Sequence, residues 1–149
     1  MKSKILILVL IVIIVLCGNL WIYNKEANTI PDDSIAVEHA DMSFYLPESW
    51  DGKYTLSLSS NSIYVYNTEL YDIDESGLLF AFVKTENYNG EIRDDYVEID
   101  KKGGYSYMLM TKDDASPKAP ESANIKYEKM KDDIEGIAST FKVNKKIFG

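Results

Sequence analysis

Cysteine is nearly missing from this 149-residue chain: Cys17 is the only one, and it stands inside an apolar run near the N-terminus. The residues after it can form no disulfide, thiol nucleophile or thiolate metal site, so their stability has to come from packing. Histidine is as scarce, with His39 alone. A Ser-His-Asp machine would have to use it, and no nucleophile-elbow sequence accompanies it. A zinc site built mainly from histidine and cysteine runs out of ligands. Basic charge is short as well. Sixteen Lys and Arg face 24 Asp and Glu, a formal net charge of −8. Past Lys2 and Lys4 the chain keeps 14 basic residues against the same 24 acidic ones, a net −10. That balance argues against nucleic acid or an anionic membrane surface as the main partner.

What the sequence has instead is a long hydrophobic run. Residues 5–16 carry no polar side chain, and the apolar stretch continues to Tyr23 with Cys17, Gly18 and Asn19 as its only interruptions. As a helix those residues reach about 28 Å, close to one hydrocarbon core. Trp21 and Tyr23 fall where amphipathic rings favour the interface, and Lys2 and Lys4 precede the span, which keeps the N-terminus in the cytoplasm. The expected layout is a cytoplasmic tip at residues 1–4, a transmembrane anchor at 5–23, a tether at 24–34 and an extracytoplasmic domain at 35–149. Two alternatives stay open. Ile14-Val15-Leu16-Cys17 resembles a lipoprotein box with Leu16 where a small residue is expected, so lipidation at Cys17 competes with the anchor. Signal cleavage near Ala27 is the other, with Lys25 poorly placed for it. All three put the domain outside the cytoplasm, and an exported domain without disulfides fits a bacterial envelope protein.

After the tether the pattern becomes that of strands. Met42, Phe44 and Leu46 alternate with polar neighbours until Pro47-Glu48-Ser49-Trp50 ends the run. Tyr54, Leu56 and Leu58 share one face of a second strand, and Ile63-Tyr64-Val65-Tyr66 returns from a Ser-Asn turn. Residues 67–77 read as a polar, acidic connection. Residues 78–85 are apolar on both faces, as a central strand covered on both sides would be. Residues 96–100 and 105–111 form a hairpin across Lys101-Lys102-Gly103-Gly104, whose glycines tolerate positive φ. Ser122 is placed to cap a helix in which Ile125 or Tyr127, then Met130, Ile134, Ile137, Ala138 and Phe141 recur at helical spacing. The fold class expected is α+β: an N-terminal transmembrane helix, then an antiparallel sheet of about five to six strands covered by a C-terminal amphipathic helix.

Phe44-Tyr45-Leu46-Pro47-Glu48-Ser49-Trp50, the strand at Gly77-Leu78-Leu79-Phe80, and the chain end at Ile137-Ala138-Ser139-Thr140-Phe141-Lys142-Val143 resemble two related groups. One is a set of small exported Firmicutes proteins, often lipoproteins, with no assigned activity. The other is the PsbP-like group, including DcrB-type and LpqN-type envelope proteins. The resemblance spans residues 42–143 in order, on short structural signatures. It implies a central antiparallel sheet among helices, in proteins that bind or assemble and do not catalyse. The chain departs from it in having little room for an N-terminal helix layer and in its poor lipidation box.

Three constellations remain. Asp72-Ile73-Asp74-Glu75-Ser76-Gly77 matches the first half of a calcium loop, so Asp72, Asp74 and Ser76 are the candidate ligands for weak calcium binding; position 12 is Val83, where a bidentate glutamate belongs. The competing reading is an acidic turn feeding a strand. Paired acids at Asp94-Asp95, Asp113-Asp114 and Asp132-Asp133 read as solvated surface, since glycosidase chemistry needs two acids facing across a cleft. Tyrosine is the compositional excess, with 11. Tyr64 with Tyr66, and Tyr105 with Tyr107, share strand faces and offer broad contact area with polar tips to a protein or cell-wall partner; packing under the helix is the alternative. The functional expectation is a membrane-tethered extracytoplasmic binding or assembly domain with no catalytic activity and no cofactor. The runner-up is a ligand- or calcium-sensing module, and a lipoprotein of the same fold with an unknown role comes third.

Overall fold

The computed structural model describes residues 32–86, 88–90 and 95–145. The expected anchor, Cys17 and most of the tether lie outside the described residues. Among the described ones no helix is long and apolar enough to cross a membrane. In chain order the elements are β1 (Ser34–His39), β2 (Met42–Pro47), a 3-10 turn (Glu48–Trp50), β3 (Tyr54–Ser59), β4 (Ser62–Asn67), α1 (Thr68–Asp74), β5 (Leu78–Glu86), β6 (Tyr96–Lys102), β7 (Tyr105–Met110), α2 (Glu121–Lys131), α3 (Ile134–Ser139) and β8 (Lys142–Val143).

The fold is α+β, but its strands make two antiparallel sheets where one was expected. One has the order β1-β2-β8 and the other β3-β4-β5-β7-β6. The division falls at the Pro47-Glu48-Ser49-Trp50 turn. Pro47 removes a ladder donor, the 3-10 turn follows, and Gly52 at φ +69° redirects the chain. Strand β2 therefore pairs with β1 and β8, not with β3. Ser34, assigned above to the tether, already pairs with Pro47 in β1.

Strand β5 lies at the centre of the larger sheet, and Leu78 to Phe82 are buried on both of its faces. The edge strands β3 and β6 are the exposed ones. The two sheets meet through aromatic rings. Phe44 of β2 packs edge-on against Phe82 at 4.8 Å and Phe80 at 5.7 Å, and Phe141 closes on Phe82 at 4.5 Å. Such tilted ring pairs each add about 0.5–1.5 kcal/mol beyond the area they bury.

The expected acidic connection at residues 67–77 is in fact helix α1. Asn67 caps it, its Oδ1 accepting the Leu70 N–H at 3.0 Å, and Glu75 ends it in the left-handed region at φ 60°. Only Leu70 of this helix is buried. Its Cβ lies 2.6 Å from where a Cβ on Gly77 would stand, and Gly77 itself has φ +83°. Glycine is required there twice over, by conformation and by space.

The single C-terminal helix expected is two. It starts at Glu121 after Pro120, whose fixed φ suits a helix entry, and Ser122 makes no cap bond. The chain breaks at Asp132-Asp133 before α3. Ala123, Tyr127, Met130, Ile134 and Ile137 nonetheless continue one buried stripe through the break. Tyr127 ties this layer to the sheet: its hydroxyl donates to the Leu78 carbonyl at 2.9 Å and accepts the Asp114 N–H at 3.0 Å.

Candidate functional site

A half-open groove of about 920 Å³ opens on the surface of the domain. Three segments far apart in sequence line it. Ser49, Trp50, Gly52 and Lys53 come from the turn after β2. Asn67, Thr68, Glu69 and Asp72 come from the β4–α1 junction, and Lys126, Lys129, Met130, Asp132 and Asp133 from the end of α2. This volume falls within the range of pockets that hold small molecules or short peptide segments, about 300–1,000 Å³.

The deepest residues are fixed by specific bonds. Trp50 is 2% exposed, and its Nε1–H donates to Asp133 Oδ2 at 2.9 Å, which holds the α2–α3 break against the turn. Asn67 is 3% exposed; its Nδ2 reaches only Met130 Sδ, at 3.3 Å. Around the rim Lys126 pairs with Glu69 at 2.9 Å, and Lys53 Nζ donates to the Ser49 carbonyl at 2.7 Å. Three cations and four anions share the groove, a net charge of −1 on a domain with far more acid than base, so both signs are nearly matched there.

A second polar cluster lies between the sheets. Asp41, in the β1–β2 turn, accepts Lys84 Nζ at 2.6 Å and the Tyr107 hydroxyl at 2.8 Å, both on Oδ2. Oδ1 is buried without a partner among the described residues. The Lys84 ammonium also lies 4.1 Å above the Tyr105 ring. Burial alone would raise the Asp41 carboxyl, but the Lys84 and Tyr107 hydrogen bonds and the lysine charge outweigh it and hold it below the usual range. Burial likewise opposes the charge on Lys84, and its bond to Asp41 wins, so the ammonium is held above its usual value. Both groups are thereby locked in their charged forms. This is the chemistry of a clasp between sheets, since a base or nucleophilic amine needs the reverse shifts.

The four tyrosines singled out above do not form one surface. Tyr64 pairs with Ala81 and Tyr107 with Lys84, neighbours of opposite parity on β5, so the two tyrosine pairs lie on opposite sheet faces. Tyr107 is buried in the core against Phe141 and Asp41, which takes it out of any exposed patch. Tyr105 is half-buried beside Lys84; its hydroxyl is pushed up by Glu86. Tyr64 and Tyr66 remain half-buried on the other face, in the row Ser57–Tyr64–Ala81–Met110–Tyr96, with Tyr66 stacked on Tyr71 at 4.9 Å. Burial pushes the Tyr66 hydroxyl up.

Of the calcium candidates, Asp74 and Ser76 stay together and Asp72 points elsewhere, as residues two apart on a helix do. Asp72 lines the groove, whereas Asp74 accepts the Ser116 hydroxyl at 2.7 Å and the Ser76 N–H at 3.3 Å. Among the described residues no three His, Cys, Asp or Glu gather as a metal site. His39 is half-buried, and its Nε2 donates to the Ser59 carbonyl at 2.6 Å, joining the end of β1 to the end of β3.

Of the residues that line the groove, sequence reasoning assigned only Asp72 to a site; Trp50, Asn67, Lys53, Lys129 and Asp132 are among those it missed. The strand-ending turn carried Trp50 in view, and an Asn ahead of Leu70 is a helix-start signal, but their meeting is tertiary. No protein-family model, no curated protein and no solved structure matches this chain.

Proposed function

We propose that this chain is a membrane-tethered extracytoplasmic domain that binds a partner in a bacterial envelope, with no catalytic step of its own. The N-terminal apolar run supplies the tether, with residues 1–4 in the cytoplasm. The binding surface is the groove floored by Trp50 and Asn67. The observation that carries this reading is the groove's construction: a rigid apolar and amide floor, with charged groups of both signs on its rim. Mixed rims of this kind confer specificity and register on a contact more than raw affinity. The likeness to small exported Firmicutes proteins belongs to the same reading, since it implies binding or assembly.

The test is a photo-crosslinking residue placed at position 49, an exposed groove residue, or at Ser57 on the opposite sheet face, in intact cells. The expected result is a discrete adduct from position 49, competed away by excess purified wild-type chain but not by the Lys129→Glu/Asp132→Lys variant. Equal adducts from both positions, or adducts that both competitors abolish alike, would reject the groove as the binding surface. External protease should remove the domain from intact protoplasts; full protection would reject the topology.

A further inference from the structure

Asn67 is a buried groove residue whose orientation is fixed and whose amide nitrogen has a thioether, not an oxygen, as its acceptor. Because its Oδ1 accepts the Leu70 N–H as the cap of α1, its amide cannot be turned over, and Nδ2 must face Met130. An amide nitrogen carries two N–H bonds, and a thioether is a weak acceptor. A thioether offers this buried donor less than an oxygen would, so a ligand carbonyl in the groove would give Nδ2 a stronger partner.

The rim supplies the rest of a recognition pattern. Asp72, Lys129 and Asp132 make no ion pair among the described residues, although Lys126 and Glu69 beside them do. Lys53 spends its ammonium on a backbone carbonyl and has no carboxylate partner. Unpaired cations and unpaired anions therefore border one buried amide donor. A ligand that answers all three has a carbonyl between a positive and a negative end.

Resting on the groove as the binding surface, we propose that its ligand is a short peptide with a free amino group and a free carboxylate. One backbone carbonyl accepts from Asn67 Nδ2, the ammonium faces Asp72 and Asp132, and the carboxylate faces Lys53 and Lys129. Trp50 forms the apolar floor against which the peptide lies.

The experiment uses the full chain in detergent micelles, with the ¹⁵N–H resonance of the Trp50 indole as reporter, because its acceptor Asp133 lines the groove. The probe is trialanine; N-acetyl-trialanine amide is the uncharged control. Trialanine should give a saturable shift, and the capped control should bind at least about tenfold more weakly. Lys129→Glu and Asp132→Lys, both at exposed positions, should each weaken trialanine about fivefold or more with an unchanged melting temperature. Equal binding of free and capped peptide overturns the proposal, as does a failure to saturate by about 10 mM. If trialanine fails while crosslinking from position 49 still gives the competed adduct, the ligand class is wrong and the groove stands. If both fail, the groove reading falls as well.

Discussion

Replacing Lys84 by Met should destabilise the domain by about 3 kcal/mol. The ammonium is one of two donors to Asp41 Oδ2; without it the carboxylate keeps only the neutral Tyr107 hydroxyl, while Oδ1 already has no partner among the described residues. Breaking a buried pair by removing one member costs about 3–5 kcal/mol, because the remaining charge is left uncompensated. The side chains here are 16% and 10% exposed, so some water reaches them and the lower end applies. The double variant Lys84→Met/Asp41→Asn removes the stranded charge and keeps an acceptor for Tyr107, so it should cost only about 1–2 kcal/mol. Urea unfolding of the full chain, followed by near-UV circular dichroism, measures both. The pair also sets a pH signature. Asp41 is held below its ordinary 3.8, so its contribution is complete above that value and disappears as pH falls through the folded-state pKa. Lys84 is held above its ordinary 10.5, so its contribution is complete below 10.5 and disappears as pH rises through the raised value. Lys84→Met should flatten both limbs. A loss under about 1 kcal/mol, or a double variant as damaged as the single one, would refute the clasp.

Gly77→Ala should cost about 2–4 kcal/mol, since the new Cβ meets Leu70 at 2.6 Å on a backbone at φ +83°; a melting curve near wild type would show that α1 yields easily. Tyr127→Phe should cost about 1–3 kcal/mol, because the Leu78 carbonyl and the Asp114 N–H both lose their partner. In an ultraviolet titration Tyr127 should ionise only at about 12, pushed up by burial, so an ordinary tyrosine titration with no late component would contradict its placement. Lys129→Glu and Asp132→Lys should change stability by no more than about 0.5 kcal/mol each, as exposed residues without ion-pair partners do, and a larger loss in urea would mean that the rim is structural.

Alternation made strands β2 to β7 legible in the sequence, and the doubly apolar run at residues 78–82 marked β5 as central. Strand β1 was not legible, because Ile35 and Val37 are only two apolar positions beside a polar tether. Helix α1 was obscured for a similar reason: it buries Leu70 alone, so no apolar stripe announces it, and its one local signal is the capping Asn67. The break at Asp132-Asp133 leaves the buried stripe in phase, so periodicity could not reveal it; its anchor, Trp50, lies 83 residues earlier. The same nonlocality hid the groove, whose three walls come from residues 49–53, 67–72 and 126–133. Strand parity made Tyr64 with Tyr66, and Tyr105 with Tyr107, legible as pairs, whereas the register between strands, which puts Tyr64 and Tyr107 on opposite faces, was not legible.

The groove as binding surface is tested most directly by hydrogen exchange on the purified full chain, with and without solubilised envelope from its own cells. The expected result is added protection confined to residues 49–53, 67–72 and 126–133, lost in the Lys129→Glu/Asp132→Lys variant. Protection centred instead on the Tyr64–Tyr96 face, or unchanged in that variant, would contradict it.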